Sequence, residues 1–311
     1  MNRRWTFKKV HSAVTYRYRR YRRRFFHRPK YFLCIYTIFQ NEARFLKEWL
    51  DLHMREGIEH FFLVDHGSSD DWLPVVRPYI DRGIVTVKSL GTSAGSNDRL
   101  RMEHADFALD ATEWLLVQDI DEFTFSVQEK SIAEFLRGLP ADVHQVAVPW
   151  VLFGTGGNDT QPPHVVPACT RSEDLRLRAT LDDSVRPWTV KSILRPRYLR
   201  HMRVHVHDVV GRTVVANSTL DEVRSKFFIP NRLAADDSML ILQNHYVFRS
   251  KEFYKIKMAR SGYWKEQNRG VKTYTWEVFE REEAVLNAVE NRRLFEKHRD
   301  YYERESAEIG P

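Results

Sequence analysis

Apolar and polar segments alternate regularly along the first half of this 311-residue chain. Three apolar runs have the length of strands and are bounded by polar loops: Tyr31–Phe39, His60–Val64 and Ile84–Val87. After the first run, Leu46, Trp49 and Leu50 recur at helical spacing. This repeated strand–helix order predicts an α/β fold, with a mostly parallel central sheet flanked by helices.

Capping and turn residues predict where several helices begin and end. The predicted boundaries are Asn41 and Gly57 for the first helix, Pro74 and Pro78 for a short second one, Asn97 and Asp110 for a third, Ser131 and Gly138 for a fourth, and Ser250 for the start of a basic helix. The region from about 274 to 308 is charged and predicted to be helical.

A fourth apolar run begins at Trp114 and ends in three acids, Asp119, Asp121 and Glu122. Its length and its Val and aromatic neighbours predict a buried strand that ends at these acids. Asp-x-Asp places two carboxylates on the same side of an extended segment. Buried carboxylates are costly unless they are neutralised, and oxygen ligands at this spacing suit Mg²⁺ or Mn²⁺. An acidic corner between a strand and a loop, without a cation, is the alternative.

Asn41, Asp65 and the Asp119/Asp121 pair each follow the predicted carboxyl end of a strand. Ligands bind at that edge in parallel sheets, so we expect a ligand site there. Neither a Walker A motif nor Gly-x-Gly-x-x-Gly occurs, which argues against P-loop NTPases and dinucleotide enzymes.

The second half of the chain predicts further strands and a loop. The strands are Val143–Trp150, Val190–Leu194 with Lys191, Met202–Val209, and Leu240–Phe248 with His245. The glycine-rich loop Phe153–Asn158 is predicted to be flexible enough to move over a site. On a strand, His205 and His207 would share one face, either as a metal pair or as exposed polar positions.

Composition refines this interpretation. A hydrophobic fraction of 42% is ample for a large core, and no apolar run approaches the roughly 18 residues that a membrane-spanning helix needs. The N-terminus lacks the apolar region of a secretory signal, and the two cysteines are expected to be reduced. We therefore expect a cytoplasmic protein.

The positive net charge comes from residues 1–30, predicted to be a flexible basic tail. They contain 12 Lys and Arg residues and no acids, which leaves 37 basic and 42 acidic residues in 31–311, a net charge of −5. Interleaved aromatic residues favour an anionic membrane surface as the tail's partner, at the inner face of the membrane. A solvated tail is the alternative, and nucleic acid is a less favoured partner because the body is slightly acidic.

Residues 31–260 resemble glycosyltransferases of the GT-A type, in particular the family 2-like and family 92 group. Six groups of residues carry this resemblance: Gln40–Glu42 with Glu48–Leu50, Asp65 with Gly67–Asp70, Gln118–Phe123, Trp150 with Phe153–Gly154, Lys191–Ile193 with Arg195–Pro196, and Asn244–Tyr246 with Ser250. The resemblance implies a GT-A domain at 31–260, and the remainder, 261–311, is predicted to be a C-terminal helical extension.

The resemblance also implies a nucleotide-sugar donor, commonly a UDP-sugar, a divalent metal such as Mn²⁺, and an inverting reaction on a glycan, lipid-linked or polysaccharide acceptor. The implied metal ligands are Asp119, Asp121 and His245. The implied donor-binding residues are Asn41, Asp65 (at the nucleobase), Arg99, Asp119 and Lys191 (at the diphosphate). The general base stays open among Glu122, Asp174, Asp182, Asp183, Asp236 and Asp237.

Two other functions remain open. Haloacid-dehalogenase-type phosphatases also place Asp-x-Asp after a strand, but Phe123 stands where their pattern has threonine. A non-catalytic protein that binds a surface or nucleic acid through its basic tail is the second alternative.

Overall fold

The structure is a computed structural model. It describes residues 18, 20–91, 103–181, 188–223, 228–230, 238–267 and 275–309. The strands are β1 (Tyr31–Phe39), β2 (His60–Asp65), β3 (Val85–Ser89), β4 (Thr112–Val117), β5 (Glu122–Ser126), β6 (Val143–Leu152), β7 (Arg171–Ser172), β8 (Trp188–Leu194), β9 (Leu199–His201), β10 (Asp208–Val209), β11 (Arg212–Val215), β12 (Phe228–Ile229), β13 (Ile241–His245) and β14 (Val289–Glu290). The helices are α1 (Ala43–Arg55), α2 (Trp72–Asp81), α3 (Asp106–Ala111), α4 (Ile132–Arg137), α5 (Val165–Ala168), α6 (Leu175–Ala179), α7 (Lys251–Gln267), α8 (Trp276–Leu286), α9 (Arg293–Lys297) and α10 (Arg299–Ile309).

The central sheet has the strand order β3-β2-β1-β4-β8-β6-β13-β5, with β11 beside β6 and β12 beside β8. Strands β3, β2, β1 and β4 are parallel, because α1 and α2 return the chain to the same edge. Beyond β4 the sheet is mixed, since β8 runs antiparallel to both β4 and β6. The predicted α/β class is confirmed, and the parallel arrangement holds for the first half of the sheet.

This topology brings the carboxyl ends of several strands to one edge of the sheet. Strand β6 runs in the same direction as β4, because β8 is antiparallel to both, and β13 is parallel to β6. The carboxyl ends of β1, β2, β4, β6 and β13 therefore meet at what we call the carboxyl edge. His245, the last residue of β13, lies at the same edge as Asp65 and the end of β4.

Buried apolar residues pack on both faces of the sheet. One cluster surrounds Trp49, Trp114 and Phe153, and the C-terminal helices contribute Leu294 and Tyr302 to it. The second cluster includes Tyr36, Phe62 and Met202 on the opposite face. Residues 276–309 are mainly helical, and α9 and α10 pack into the first cluster, whereas Phe279 and Leu286 of α8 pack with Phe248 and Tyr254 in a separate one.

The apolar run that begins at Trp114 lies in strand β4, as predicted, which ends at Val117; a turn over 118–121 then leads into β5 at Glu122. The turn is closed by the N–H of Glu122, which donates to the carbonyl of Asp119 over 3.2 Å. Strand β5 then leaves β4 and pairs antiparallel with β13, with Glu122 opposite His245. The acids thus lie where the chain passes from β4, which pairs with β1 and β8, to β5, which pairs with β13.

The prediction of a strand over Met202–Val209 is wrong for most of that range. Only Asp208–Val209 at its end is a strand, and the preceding residues bend. The N–H of Arg203 donates to Nδ1 of His207, and Nδ1 of His205 lies 3.1 Å from the carbonyl of Val190. These separate contacts replace the predicted shared face of the two histidines.

Helix boundaries agree with the predictions where a local signal sets them. Ser131 caps α4 by accepting from the N–H of Glu134, Ser250 caps α7 by accepting from Phe253, and Gly57 follows α1 with φ +86°. Helix α2 runs through Pro74 and Pro78 and is not limited by them. Pro74 is tolerated because the first turn of a helix has N–H groups without partners in any case.

Asn41 does not cap α1. Its φ is +57°, and the first N–H of the helix, on Ala43, donates to Oδ2 of Asp70 over 2.8 Å. The cap thus comes from the loop after β2, which lies far from the helix in sequence.

The predicted mobile loop Phe153–Asn158 is held against α8. Thr155 is buried, its N–H donates to Glu283, and the N–H of Gly156 donates to Oδ1 of Asn287 over 3.1 Å. The structure therefore shows a packed connection where the sequence predicts a moving one.

Most of the predicted basic tail lies outside the described residues. Its described part is helical over 20–26, and Arg23, 4% exposed, donates to Asp106 and Asp110 of α3 over 3.1 Å each. This end of the segment is therefore anchored to the body. Among the residues that the structure describes, none of the helices has both the length and the apolar composition needed to span a bilayer.

Candidate functional site

The three acids Asp119, Asp121 and Glu122, here called the acidic turn, lie at the carboxyl edge. The register of β8 on β4 pairs Ser192 with Val117, so Lys191 lies just beyond the end of β4. Lys191 Nζ lies 2.9 Å from Asp119 Oδ2 and 3.6 Å from Glu122 Oε1. The immediate partner of Lys191 is therefore Asp119.

Glu122 is the buried member of the acidic turn. Its side chain is fully inaccessible, and Oε2 accepts from the N–H of Asp119 over 2.9 Å. Burial raises the pKa of Glu122 to about 7, against the opposing attraction of Lys191. A carboxyl group this deep has no surface to offer a bulky acceptor, so its position does not suit the predicted candidate role of general base.

Asp121 is held by two cationic or polarisable neighbours. His245 Nε2 lies 3.5 Å from Asp121 Oδ2, and Lys257 Nζ lies 3.3 Å from the same oxygen. Burial opposes ionisation of Asp121, but Lys257 and His245 outweigh it and hold its pKa well below the usual range. Asp121 is therefore a carboxylate at neutral pH.

Asp121, Glu122 and His245 each offer one ligand atom, and these atoms lie within 4.8 Å of one another. Two carboxylates and an imidazole are a donor set that suits Mn²⁺. Glu122 Oε1 is buried and has no hydrogen-bond partner, with Lys191 Nζ 3.6 Å away, so it is an acceptor that an ion could use. Of the three predicted metal ligands, Asp121 and His245 belong to this cluster. Its third member is Glu122, whereas the predicted ligand Asp119 pairs with Lys191.

A buried polar network lies beneath the acidic turn. Nδ1 of His53 donates to the carbonyl of Trp49 over 2.7 Å, which leaves Nε2 to accept from the N–H of Thr124 and from Gln118. Gln118 and Thr124 are bonded to each other and to Gln243 of β13. Burial lowers the pKa of His53 to about 4, so the ring is neutral at neutral pH and its Nε2 can accept both hydrogen bonds. These hydrogen bonds hold Gln118, at the start of the turn, to both β5 and β13.

Asp65 and Asn41 organise the loop that follows β2. Asp65 accepts from the N–H of Ser68 and from the hydroxyl of Ser89, each over 2.8 Å. Oδ1 of Asn41 accepts from the N–H of Ser69 over 2.7 Å. Both residues lie at the carboxyl edge as predicted; Asn41 contacts this loop, and Asp65 contacts both the loop and Ser89 at the end of β3.

An aromatic side chain closes another side of the site. The ring of Trp150 meets that of His245 edge to face, with centroids 4.6 Å apart, and Lys191 Nζ lies 5.6 Å from the Trp150 centroid. This contact joins β6, β8 and β13 at the carboxyl edge.

The remaining predicted candidates lie elsewhere or outside the description. Asp174 caps α6 by accepting from the N–H groups of Arg176 and Leu177, which gives it a structural use. Residues that fall outside the described ranges are Arg99, Asp182, Asp183, Asp236 and Asp237.

Sequence reasoning missed two cations near the acidic turn. Lys257 lies within the predicted basic helix that begins at Ser250, and no local pattern distinguishes it from the exposed Lys255. Arg249 is buried, donates to Glu42 over 2.8 Å and packs between the rings of Phe45 and Phe253. Arg249 lies between Asn244–Tyr246 and Ser250, which carry part of the family resemblance, and this proximity is the one sequence signal that indicated its neighbourhood.

A sequence model of glycosyltransferase family 92 matches residues 29–229, a range that contains the acidic turn and Lys191. A family 92 protein of Ricinus communis is 26% identical over 233 residues, which cover 73% of this chain and 37% of that protein. One of Oryza sativa subsp. japonica is 28% identical over 182 residues, covering 58% of this chain and 29% of the relative. The chain thus spans less than half the length of these curated relatives.

Solved structures show weaker similarity. S. aureus TarS (residues 1–349) in complex with UDP-GlcNAc is 18% identical, with 53% of this chain and 45% of that chain covered and a TM-score of 0.33. The mannosyltransferase PcManGT from Pyrobaculum calidifontis, in complex with GDP-Man and Mn²⁺, is 20% identical, with 46% and 44% covered and a TM-score of 0.29. The family assignment therefore stands on the sequence match, which confirms the predicted resemblance: this chain belongs to glycosyltransferase family 92.

Proposed function

We propose that this chain is a metal-dependent glycosyltransferase. It transfers a sugar, with inversion, from a nucleotide-sugar donor, in the first instance a UDP-sugar, to a glycan, lipid-linked or polysaccharide acceptor. The observation that supports this most directly is the acidic turn at the carboxyl edge, with His245 and Lys191 beside it. Membership of family 92 favours this reaction over the phosphatase and the non-catalytic alternatives.

In this proposal Asp121 and His245 hold a divalent cation, with Glu122 behind them as the third ligand. Bound there, the cation would stabilise the negative charge that develops on the departing nucleoside diphosphate. Asp121 is suited to the task because it is ionised at neutral pH and its oxygen is only partly covered, with the side chain 16% exposed.

Asp119 is proposed to face the donor's ribose. Its side chain is 36% exposed, the largest fraction in the acidic turn, so it is accessible from the solvent side of the edge. Lys191 is only 2% exposed and is held by Asp119. We assign it the role of fixing the Asp119 carboxylate and adding a positive potential to the diphosphate site, without direct contact to the donor.

The nucleobase is proposed to bind over the loop that follows β2. Asp65 and Asn41 hold this loop through Ser68 and Ser69, so they set its shape. Arg99 keeps its proposed place in the donor site, outside the described residues.

An inverting transfer needs a base that removes the proton of the acceptor hydroxyl as the bond to the anomeric carbon forms. Glu122 is buried and Asp174 caps a helix, so neither suits this role. We therefore place the base among the acids outside the described residues, with Asp236 and Asp237 as the first candidates.

The donor part of this proposal is tested by the release of nucleoside diphosphate from UDP-, GDP- and CMP-sugars in the presence of Mn²⁺. We expect release from one nucleotide class, lowered about a hundred-fold or more in Asp121→Asn, the usual effect of removing a group that stabilises transition-state charge. Asp142→Asn is the matched control, since Asp142 precedes β6 and lies at the opposite edge of the sheet. Equal release by the wild type and Asp121→Asn would refute the assignment.

We further propose that the basic N-terminal segment attaches the protein peripherally to an anionic membrane, at its cytoplasmic face. In the described part of the segment, the helix over 20–26 exposes Tyr21, Phe25 and Phe26 by 57–66% beside Arg20 and Arg22. Aromatic rings and arginines on one short helix are typical of interfacial segments. Co-sedimentation with anionic vesicles at low salt, lost at high salt, is the expected result. A protein that stays in solution under both conditions would contradict it.

A further inference from the structure

We propose that Lys257 and the divalent cation are alternative partners of Asp121, so that Lys257 occupies the metal position until the ion displaces it. This inference rests on the proposed function of the acidic turn. It concerns how the site behaves without metal.

The geometry places the ammonium group at a ligand oxygen. Lys257 Nζ lies 3.3 Å from Asp121 Oδ2, the same oxygen that His245 Nε2 approaches to 3.5 Å. Nζ also donates to the carbonyl of Val247 over 2.5 Å, which holds it at this point. An ion bound by Asp121 and His245 needs the lone pairs of this oxygen, and the ammonium group of Lys257 lies against the same oxygen.

The charges of the site lead to the same conclusion. The acidic turn has three carboxyl groups, and Lys191 and Lys257 supply two positive charges at their oxygens. The nearby Arg249 is itself paired with Glu42, so that pair adds little net charge. Adding a doubly charged ion while Lys257 stays would put two cations on one carboxylate oxygen, which strongly opposes binding at this distance.

The two lysines differ in their freedom to leave. Lys191 is 2% exposed on a central strand, whereas Lys257 is 17% exposed on α7. A lysine side chain can turn about its flexible stem and return its ammonium group to water. Lys191 has no such exit, so Lys257 is the exchangeable cation of the site.

The exchange of Lys257 for the metal ion keeps the buried Asp121 carboxylate paired when no metal is bound. Asp121 remains ionised without metal, and an unpaired buried carboxylate would destabilise the fold around the acidic turn. Lys257 removes this cost, and in return it competes with the ion. The strength of metal binding is therefore set partly by a residue that is not a ligand.

The test is the affinity of the full chain for Mn²⁺ alone, measured by titration calorimetry on the wild type, Lys257→Met and Lys255→Met. Lys255 lies on the same helix and is exposed, so it controls for the loss of one positive charge. We expect about ten-fold tighter binding in Lys257→Met, the scale of one removed charge interaction in a partly buried site, and no change in Lys255→Met. Lys257→Gln serves as a second variant should the methionine variant fail to fold.

Thermal stability supplies an independent readout. Without metal, Lys257→Met should melt below the wild type, because Asp121 loses a partner, and saturating Mn²⁺ should remove most of that difference. Equal Mn²⁺ affinity in the wild type and Lys257→Met would overturn the role of Lys257 and leave metal-dependent transfer intact. Absence of Mn²⁺ binding in both proteins would overturn the metal site of the proposed function as well.

Discussion

Replacing Glu122 with glutamine changes the charge of the acidic turn while keeping an oxygen that can accept from the N–H of Asp119. Glu122 is fully buried, and burial raises its pKa from 4.5 to about 7. When a carboxyl group binds its proton more tightly in the folded state, the folded protein loses stability as the pH rises above the pKa of that group in the unfolded state. The wild type should therefore lose stability between about pH 4.5 and 7, whereas Glu122→Gln carries no such loss.

The magnitude follows from the size of the pKa shift. A difference of one unit corresponds to about 1.4 kcal/mol, so a rise from 4.5 to about 7 corresponds to roughly 3 kcal/mol at pH 8 and above. The sign is set by proton binding: in this window the folded state binds more protons than the unfolded state, and stability falls with pH. The unfolding free energy of Glu122→Gln, relative to that of the wild type, should thus rise by roughly 3 kcal/mol from acidic to alkaline pH.

Urea denaturation of the wild type, Glu122→Gln and Glu129→Gln at pH 5, 7 and 8.5 measures this difference. His53 acts in the opposite direction, because burial lowers its pKa from 6.5 to about 4, and its contribution is lost as the pH falls through that range. That contribution is common to all three proteins and cancels in the comparison. Glu129 is exposed, and its variant should track the wild type. Parallel stability curves for the wild type and Glu122→Gln would refute the reasoning.

Two further predictions concern the packing around the site. Tyr302→Phe removes a 2.8 Å hydrogen bond to the buried Glu48 and should cost about 1–3 kcal/mol of unfolding free energy in urea; a loss no larger than that of the exposed Tyr21→Phe would contradict this role. Ser131→Ala removes the cap of α4 and should cost about 1 kcal/mol, whereas Ser131→Thr should keep most of it; equal losses in both variants would argue against the cap.

The sequence predicted the features that depend on local patterns. The run Tyr31–Phe39 is a strand because continuous apolar residues suit a position buried on both faces. Ser131 and Ser250 cap the helices that follow them because the bond each makes is only three residues long. The association of Asp121 with His245 was anticipated from the family resemblance, and the pairing of β5 with β13 brings it about.

The features that the sequence did not reveal depend on distant partners. Asn41 has the residue type of a cap, but it bonds to the loop at Ser69, and Asp70 supplies the cap instead. The alternation around His205 and His207 has strand period, yet separate hydrogen bonds bend the chain there. Lys257 looks like any surface lysine of a helix, since its contact with Asp121 spans 136 residues of sequence. Such contacts leave no periodic trace.

The proposed site in the acidic turn binds a metal ion together with a nucleotide. Binding can be measured by the thermal stability of the wild type and Asp121→Asn, with Mn²⁺ alone and with Mn²⁺ plus UDP, GDP or CMP. A nucleotide at about 100 times its dissociation constant stabilises the folded state by about 2.7 kcal/mol, which raises the melting temperature by a few degrees at this size. We expect such a shift with one nucleotide, dependent on Mn²⁺ and lost in Asp121→Asn. The absence of a shift with every nucleotide, or the same shift in Asp121→Asn, would contradict it.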